Sequence, residues 1–250
     1  MIETVSAHAK LTLSLAIVGV RADGFHIIDA EMVTLDLADT VTIDPDGSGL
    51  TADGPYCQGV PLDDTNLISR ALGLCNRQAG IHVRKTIPHG GGLGGGSADA
   101  AAVLCWAGFT DLTAAARLGA DIAFCVVGGR ARVGGIGEII TPLVPIRQHV
   151  TLIIPPLSCS TPLVYRAWDH LGGPRSSGQN DLEAAALLVE PRLEAWRDRI
   201  REAVGTAPTL AGSGATWFVM GHRPELVDAL PDARVVLTST CPNTCPNTCP

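Results

Sequence analysis

The chain has 250 residues, 46% of them hydrophobic and 17% charged, with a formal net charge of −7. This apolar content supports a sizeable core and excludes a disordered chain, and the acidic balance argues against a nucleic-acid partner. No apolar stretch is long enough to span a bilayer, and Met1 to Lys10 lacks the regions of a signal peptide, so the expected location is cytoplasmic, with no membrane partner.

In chain order, Thr4 to Val20 reads as strand. Arg21-Ala22-Asp23-Gly24-Phe25-His26 follows as a turn, because Asp-Gly favours a tight bend. Ile27 to Ile43 is rich in β-branched residues and predicts more strand. The polar run from Asp44 to Gly54 reads as a hairpin or loop. A helix is expected from Asn66-Leu67, with Thr65 or Asn66 as its cap and Leu67, Ala71 and Leu74 on one face. Ile81 to Lys85 alternates as a strand does. After a glycine run, Ala98 to Ala107 is a strong helix former, and Leu112 to Leu118 is a second short helix. Ile122 to Val127 is an apolar run of unassigned type, Ala131 to Val133 a strand, and Val150 to Ile154 a buried strand stopped by Pro155-Pro156. Helices are expected over Thr161 to Leu171 and Leu182 to Ala203, and strands over Thr216 to Met220 and Arg234 to Leu237. Both halves mix helix and strand, which favours an α+β architecture in two domains, 1–146 and 147–240.

Most of the eight cysteines lie scattered in apolar or loop sequence and read as reduced, small hydrophobes. The chain ends in the tandem repeat CPNTCPNTCP, whose spacing fits no common zinc pattern. Residues 241–250 are therefore expected to be a disordered tail. Ending the chain at Ser239 is expected to leave stability unaltered.

The chemistry concentrates in Pro88-His89-Gly90-Gly91-Gly92-Leu93-Gly94-Gly95-Gly96-Ser97. So many glycines carry a large entropic cost, borne where a backbone must approach something closely. The run sits between a strand and a helix, and helix N-termini present unpaired N–H groups to anions. Ser97 is placed to cap that helix or to touch a phosphate or a metal. The run is neither a Walker loop, since it lacks lysine, nor a dinucleotide fingerprint. Asp121 precedes an apolar run and by itself reads as a helix cap. Lys10, alone in a strand, reads as a solvated side chain.

The glycine segment, through Ala98-Asp99-Ala100-Ala101, resembles the phosphate loop of the GHMP small-molecule kinases. Within them the chain resembles the 4-diphosphocytidyl-2-C-methyl-D-erythritol kinase family. Ala9-Lys10-Leu11, the Asp23-Gly24-Phe25-His26 turn, Asn66-Leu67-Ile68, Leu118 to Phe124, Gly135 to Glu138, Asn180 to Glu183 and Gly212 to Ala215 match in order. The resemblance implies a two-domain α+β GHMP fold, with nucleotide and substrate sites in the cleft between domains. It implies ATP and Mg²⁺ as cofactors, and a cytidine diphosphate sugar alcohol phosphorylated at its C2 hydroxyl. Asp121 would accept the hydroxyl proton, with Lys10 paired to it. Phe25, His26 and Tyr165 would hold the cytosine. Asn66, Pro88, Gly90, Gly91, Gly92, Leu93, Gly94, Gly95, Gly96 and Ser97 would bind the nucleotide. No residue is assigned as a metal ligand, Ser97 being only a weak candidate. Thr12 stands where the family carries asparagine, and the stretch between Leu104 and Leu118 is shorter than usual. Another GHMP kinase activity and a non-catalytic nucleotide-binding relative are the alternatives.

Overall fold

The computed structural model of the chain describes residues 1–88, 90–176 and 178–242. Its longest feature is an antiparallel pair, β1 (Glu3–Val20) with β2 (His26–Asp44), joined by the Arg21 to Phe25 turn. The pairing shifts register between His8 and Lys10, between Thr12 and Ser14, and between Ile17 and Gly19. Such bulges re-aim side chains, and two of the three flank the segment that carries Lys10 and Thr12.

Around this pair a first sheet forms in the order β3 (Leu50–Asp53), β4 (Gly80–Arg84), β2, β5 (Arg130–Gly135) and β6 (Ile139–Pro142), with β1 also on β2. β3 runs parallel to β4 inside the segment expected to be only hairpin or loop. Its four residues were too short and polar to show a period. β6 was missed because its four residues are too few to show a period. Four helices belong to this half: α1 (Leu67–Leu74), α2 (Gly95–Trp106), α3 (Leu112–Leu118) and α4 (Ile122–Val127). Ile68, Ala71, Ala100, Ala101, Leu104 and Ile122 pack with Val41, Ile43, Ile81 and Val83 into one apolar cluster. Alanine dominates α2 because the helix lies close against its neighbours.

A second sheet, in the order β10 (Arg234–Ser239), β7 (His149–Ile154), β9 (Trp217–Met220) and β8 (Thr209–Leu210), lies C-terminal to the first. It carries α5 (Thr161–His170), α6 (Glu183–Val189), α7 (Arg192–Val204) and α8 (Glu225–Ala229). The two sheets share core. Leu15, Ile17, Met32 and Phe124 join Ile153, Trp168, Trp196 and Trp217 in one cluster. Leu11, Leu35 and Leu93 join Val150, Leu152 and Phe218 in another. Each residue buried between the sheets contributes on the order of 1.5–3 kcal/mol by transfer out of water, so the two halves are welded rather than merely tethered. Among the described residues no helix is long and apolar enough to cross a membrane.

The chain end differs from expectation. Thr240 is buried; its backbone N–H donates to Gln148 O over 2.8 Å, and its hydroxyl accepts from Gln148 N and donates to Ile146 O. Cys241 N donates to Thr34 O over 2.8 Å. The strand-like pairing of Thr240 with Leu35 ties the chain end to β2. Ser239 is therefore not a neutral place to stop, because these backbone groups would lose their partners. The rest of the expected tail, 243–250, lies outside the described residues. Cys57, Cys75, Cys125, Cys159 and Cys241 are free thiols, whereas Cys105 is disulfide-bonded, against the expectation that it is reduced.

Candidate active site

The site is built where β1 meets the glycine run. Lys10 N donates to Leu93 O over 3.0 Å, fastening the strand to the loop. α2 begins at Gly95, earlier than the alanine pattern predicts, and its cap is Gly94 at φ +69°. A glycine is required there twice over. The left-handed backbone strains any side chain, and a Cβ would lie 2.7 Å from Lys10 Cγ. Gly92 is the same kind of position: at φ +74° a Cβ would meet Ala211 O at 2.5 Å. The loop is thus glycine partly for intramolecular reasons, with the Lys10 stem across Gly94 and the Ala211–Gly214 turn against Gly92. Ser97 is not the cap. It lies within the first turn of α2, where backbone N–H groups have no intrahelical acceptor. By contrast Gly96 is exposed, and a Cβ there would find only Leu67 Cδ1 at 3.7 Å.

Lys10 is 4% exposed, not a solvated side chain. Its ammonium lies 3.3 Å from Asp121 Oδ2 and donates to Thr12 Oγ1 over 3.1 Å. Lys10 and Thr12 are two apart on β1 and therefore share a face. Thr12 fills the asparagine position with a hydroxyl that holds the lysine. Asp121 occupies the N-cap position of α4, yet its side chain makes no cap hydrogen bond. The carboxylate faces Lys10 instead and keeps 29% exposure. The helix-cap alternative is set aside by that geometry.

Beneath the loop lies a buried charge cluster that sequence reading missed. Lys85 donates to Asp39 and, over 2.5 Å, to Asp99 Oδ2. Asp39 also accepts from Thr86 N and, over 2.7 Å, from Ile87 N. These bonds pin the strand that enters the glycine run. Among the described residues Asp99 Oδ1 has no hydrogen-bond partner. Burial pushes the Asp99 carboxyl up to about 7, with the Lys85 ammonium opposing and the Asp39 carboxylate adding to the rise.

A cavity of about 730 Å³ opens beside Lys10 and Asp121. Its wall combines both sheet systems: Thr12 from β1, Phe25 and His26 from the first turn, Tyr165 from α5, and Gly212 and Ser213 from the turn after β8. The His26 ring stands 4.8 Å from the Tyr165 ring and edge-on to Trp168 at 5.4 Å, and its Nε2 lies 2.7 Å from Asp169 Oδ1. Tyr165, Trp168 and Asp169 are spaced i, i+3, i+4 on α5 and so share one face. That periodicity was the available signal for Trp168 and Asp169. Phe25 is 58% exposed, at the cavity rim. The Tyr165 hydroxyl is pushed up to about 12, by burial first and then by the Asp121 carboxylate, which leaves a neutral ring face at physiological pH. Asn180 donates to Leu210 O and Gly212 O over 2.9 and 2.7 Å and so shapes the turn that lines the cavity.

The structure gathers Lys10, Asp121, Phe25, His26 and Tyr165 around one cavity. It does not bring Asn66 there. Asn66 caps α1, its Oδ1 accepting from Ile68 N and its Nδ2 donating to Pro61 O.

Known proteins resemble this chain over most of its length. Residues 65–129 match the GHMP kinases N terminal domain. The 4-diphosphocytidyl-2-C-methyl-D-erythritol kinase of Paracoccus denitrificans (strain Pd 1222) is 36% identical over 85% of each chain. The protein of the same name from Cereibacter sphaeroides (strain KD131 / KCTC 12085) is 33% identical over 91% of this chain and 92% of its own.

The chain belongs to the 4-diphosphocytidyl-2-C-methyl-D-erythritol kinase family.

A crystal structure of 4-(cytidine 5'-diphospho)-2C-methyl-D-erythritol kinase superposes with a TM-score of 0.74 at 30% identity, covering 95% of this chain and 98% of that one. The fold of this kinase is accordingly the two-domain α+β GHMP fold. Among the described residues no three His, Cys, Asp or Glu side chains are grouped to hold a metal ion. Asp99, two residues after Ser97, is engaged by Lys85.

Proposed function

We propose that this kinase transfers the γ-phosphoryl group of ATP to the C2 hydroxyl of 4-diphosphocytidyl-2-C-methyl-D-erythritol. The observation that carries the reading is the Lys10–Asp121 pair, 3.3 Å apart at the wall of a cavity that also holds Phe25, His26 and Tyr165. Phosphoryl transfer asks mainly for positioning, charge neutralisation and a base near the nucleophile. Asp121, unspent on helix capping, takes the proton of the C2 hydroxyl as its oxygen bonds to the γ-phosphorus. The bond from that phosphorus to the β-bridging oxygen breaks, and ADP leaves. The Lys10 ammonium neutralises charge that develops on the transferring group. Thr12 and the Gly94 contact fix the direction of that ammonium.

Backbone N–H groups of Gly95, Gly96 and Ser97 receive the ATP phosphates, and Pro88 and Gly90 to Gly94 shape the approach. Mg²⁺, when bound with the nucleotide, offsets phosphate charge; Ser97 is the side chain that would touch it. The cytosine lies between Phe25 and Tyr165, with His26 held by Asp169 and Trp168. The same reading divides the chain at 146/147, in the connection between β6 and β7, and places the enzyme in the cytoplasm with its small-molecule substrates.

An ATP-consumption assay with the purified chain tests the reading, using the cytidyl substrate, mevalonate and homoserine as acceptors. Turnover with the cytidyl substrate alone is expected. Preference for another alcohol, or ATP consumption with none of them, overturns it.

A further inference from the structure

The cavity wall contains charge that the mechanism above does not use. Three permanent cations line it, Lys10, Arg117 and Arg166, against two carboxylates, Asp121 and Asp169. Lys10 answers Asp121, and Asp169 is engaged by His26. Arg117 and Arg166 are left over. Among the described residues neither guanidinium has a carboxylate within ion-pair distance, whereas Arg130, Arg132 and Arg197 are each matched to one. In a chain with a net charge of −7 this local surplus of positive charge runs against the whole.

Arg117 lies in the last turn of α3, four residues before the base Asp121, and Arg166 follows Tyr165 on α5. Both line the cavity that also holds Asp121 and the Tyr165 ring. A cytidine diphosphate alcohol carries its diphosphate between the base and the hydroxyl, with one negative charge on each phosphate. Planar guanidinium groups match phosphate oxygens with paired donors, which an ammonium does not.

We propose that Arg117 and Arg166 form the diphosphate subsite of the acceptor substrate, so that this enzyme selects cytidine nucleotides over cytidine by charge as well as by stacking. The proposal rests on the cytidyl reading of the cavity and adds to it. Neither arginine takes part in the proton or phosphoryl transfer; both are positioning and specificity residues.

Calorimetric titration with cytidine and with CDP, on the full chain, tests this without turnover. The unmodified enzyme is expected to bind CDP at least about ten-fold more tightly than cytidine, since hydrogen bonds to charged groups are the stronger class. Arg117→Met and Arg166→Met should each remove part of that margin, and the double variant should bring CDP to within about two-fold of cytidine. Cytidine affinity and the KM for ATP should stay as they are. The salt dependence of CDP binding should flatten in the double variant, because screened charge is what was lost. Arg117→Lys should recover part of the CDP affinity. Both side chains are exposed, so folding should survive, and unchanged melting temperatures check this. CDP affinity unaltered in the double variant overturns the proposal. So does a rise in the KM for ATP with CDP unaffected, which would assign the arginines to the other phosphates. An unmodified enzyme that binds neither cytidine nor CDP overturns the cytidyl reading itself, a result distinct from both.

Discussion

Lys10 and Asp121 meet because a bulged strand and a short helix are brought together, and their contact makes a test of joint action possible. Asp121→Asn keeps the shape and loses the base. Turnover is expected to fall by about 10²–10⁴-fold with ATP binding little changed. Lys10→Met should be severe as well, and the double variant should be far less impaired than the product of the single effects, as for groups that serve one transition state. Multiplicative losses in steady-state kinetics would separate their roles. Asp99 gives a second test at this scale. Its carboxyl stands at about 7 in the folded chain, above the ordinary carboxylate range. The folded chain therefore keeps a proton that the unfolded chain has already released. Stability from this group is full at low pH and is lost as pH rises from about 4 toward 7. Asn at 99 cannot ionise, so the stability of the unmodified chain relative to Asp99→Asn should decline between about pH 5 and pH 8. Parallel melting curves across that range would mean that Lys85 keeps Asp99 ionised throughout.

At the scale of elements, the glycine run and the start of α2 divide into two kinds of position. Gly94 is committed to Lys10: a Cβ would strike the lysine stem at 2.7 Å. Gly94→Val should therefore damage turnover by displacing Lys10, and cost stability through the positive φ, before any effect on ATP is considered. Gly96 has room for a Cβ in the free chain. Gly96→Ala should melt within a degree or two of the unmodified protein, yet weaken ATP if phosphates approach the first turn of α2. Unchanged ATP affinity in Gly96→Ala would take the phosphates away from that turn. The contrast needs both variants, since Gly94→Val by itself cannot separate a lost ligand contact from a displaced lysine.

For the whole molecule, the two sheets hold together through shared apolar clusters and through the chain end. Thr240 and Cys241 bind β2 and the connection before β7. A chain ending at Ser239 loses these bonds, each worth about 0.5–1.5 kcal/mol. A chain this long shifts by roughly 2–4 °C per kcal/mol. A melting temperature several degrees lower is expected for that truncation than for a chain ending at Pro242. Equal melting temperatures for the two truncations would show that the pairing of Thr240 with Leu35 contributes nothing.

The sequence by itself determined the local elements with strong periods and the motif that names the family. The long strands, the capped helix at Asn66, the buried strand at Val150 and the glycine run all rest on neighbours within a few residues, where chain stereochemistry acts directly. It also supplied Lys10, Asp121, His26 and Tyr165, through motif resemblance rather than pattern. Tertiary structure decided what surrounds these residues, because long-range contact sets burial and partner. Asp121 reads as a cap until Lys10 is seen beside it, and Lys10 reads as solvated until α2 closes over it. Asn66 caps α1, one of the two caps that the sequence offered for that helix. The Lys85–Asp39–Asp99 cluster joins segments far apart in the chain, so no spacing could announce it. Arg117 and Arg166, without a carboxylate partner among the described residues, acquire meaning only once the fold sets them around the same cavity as Asp121 and the aromatic rings, because an unmatched charge is defined by what surrounds it in space.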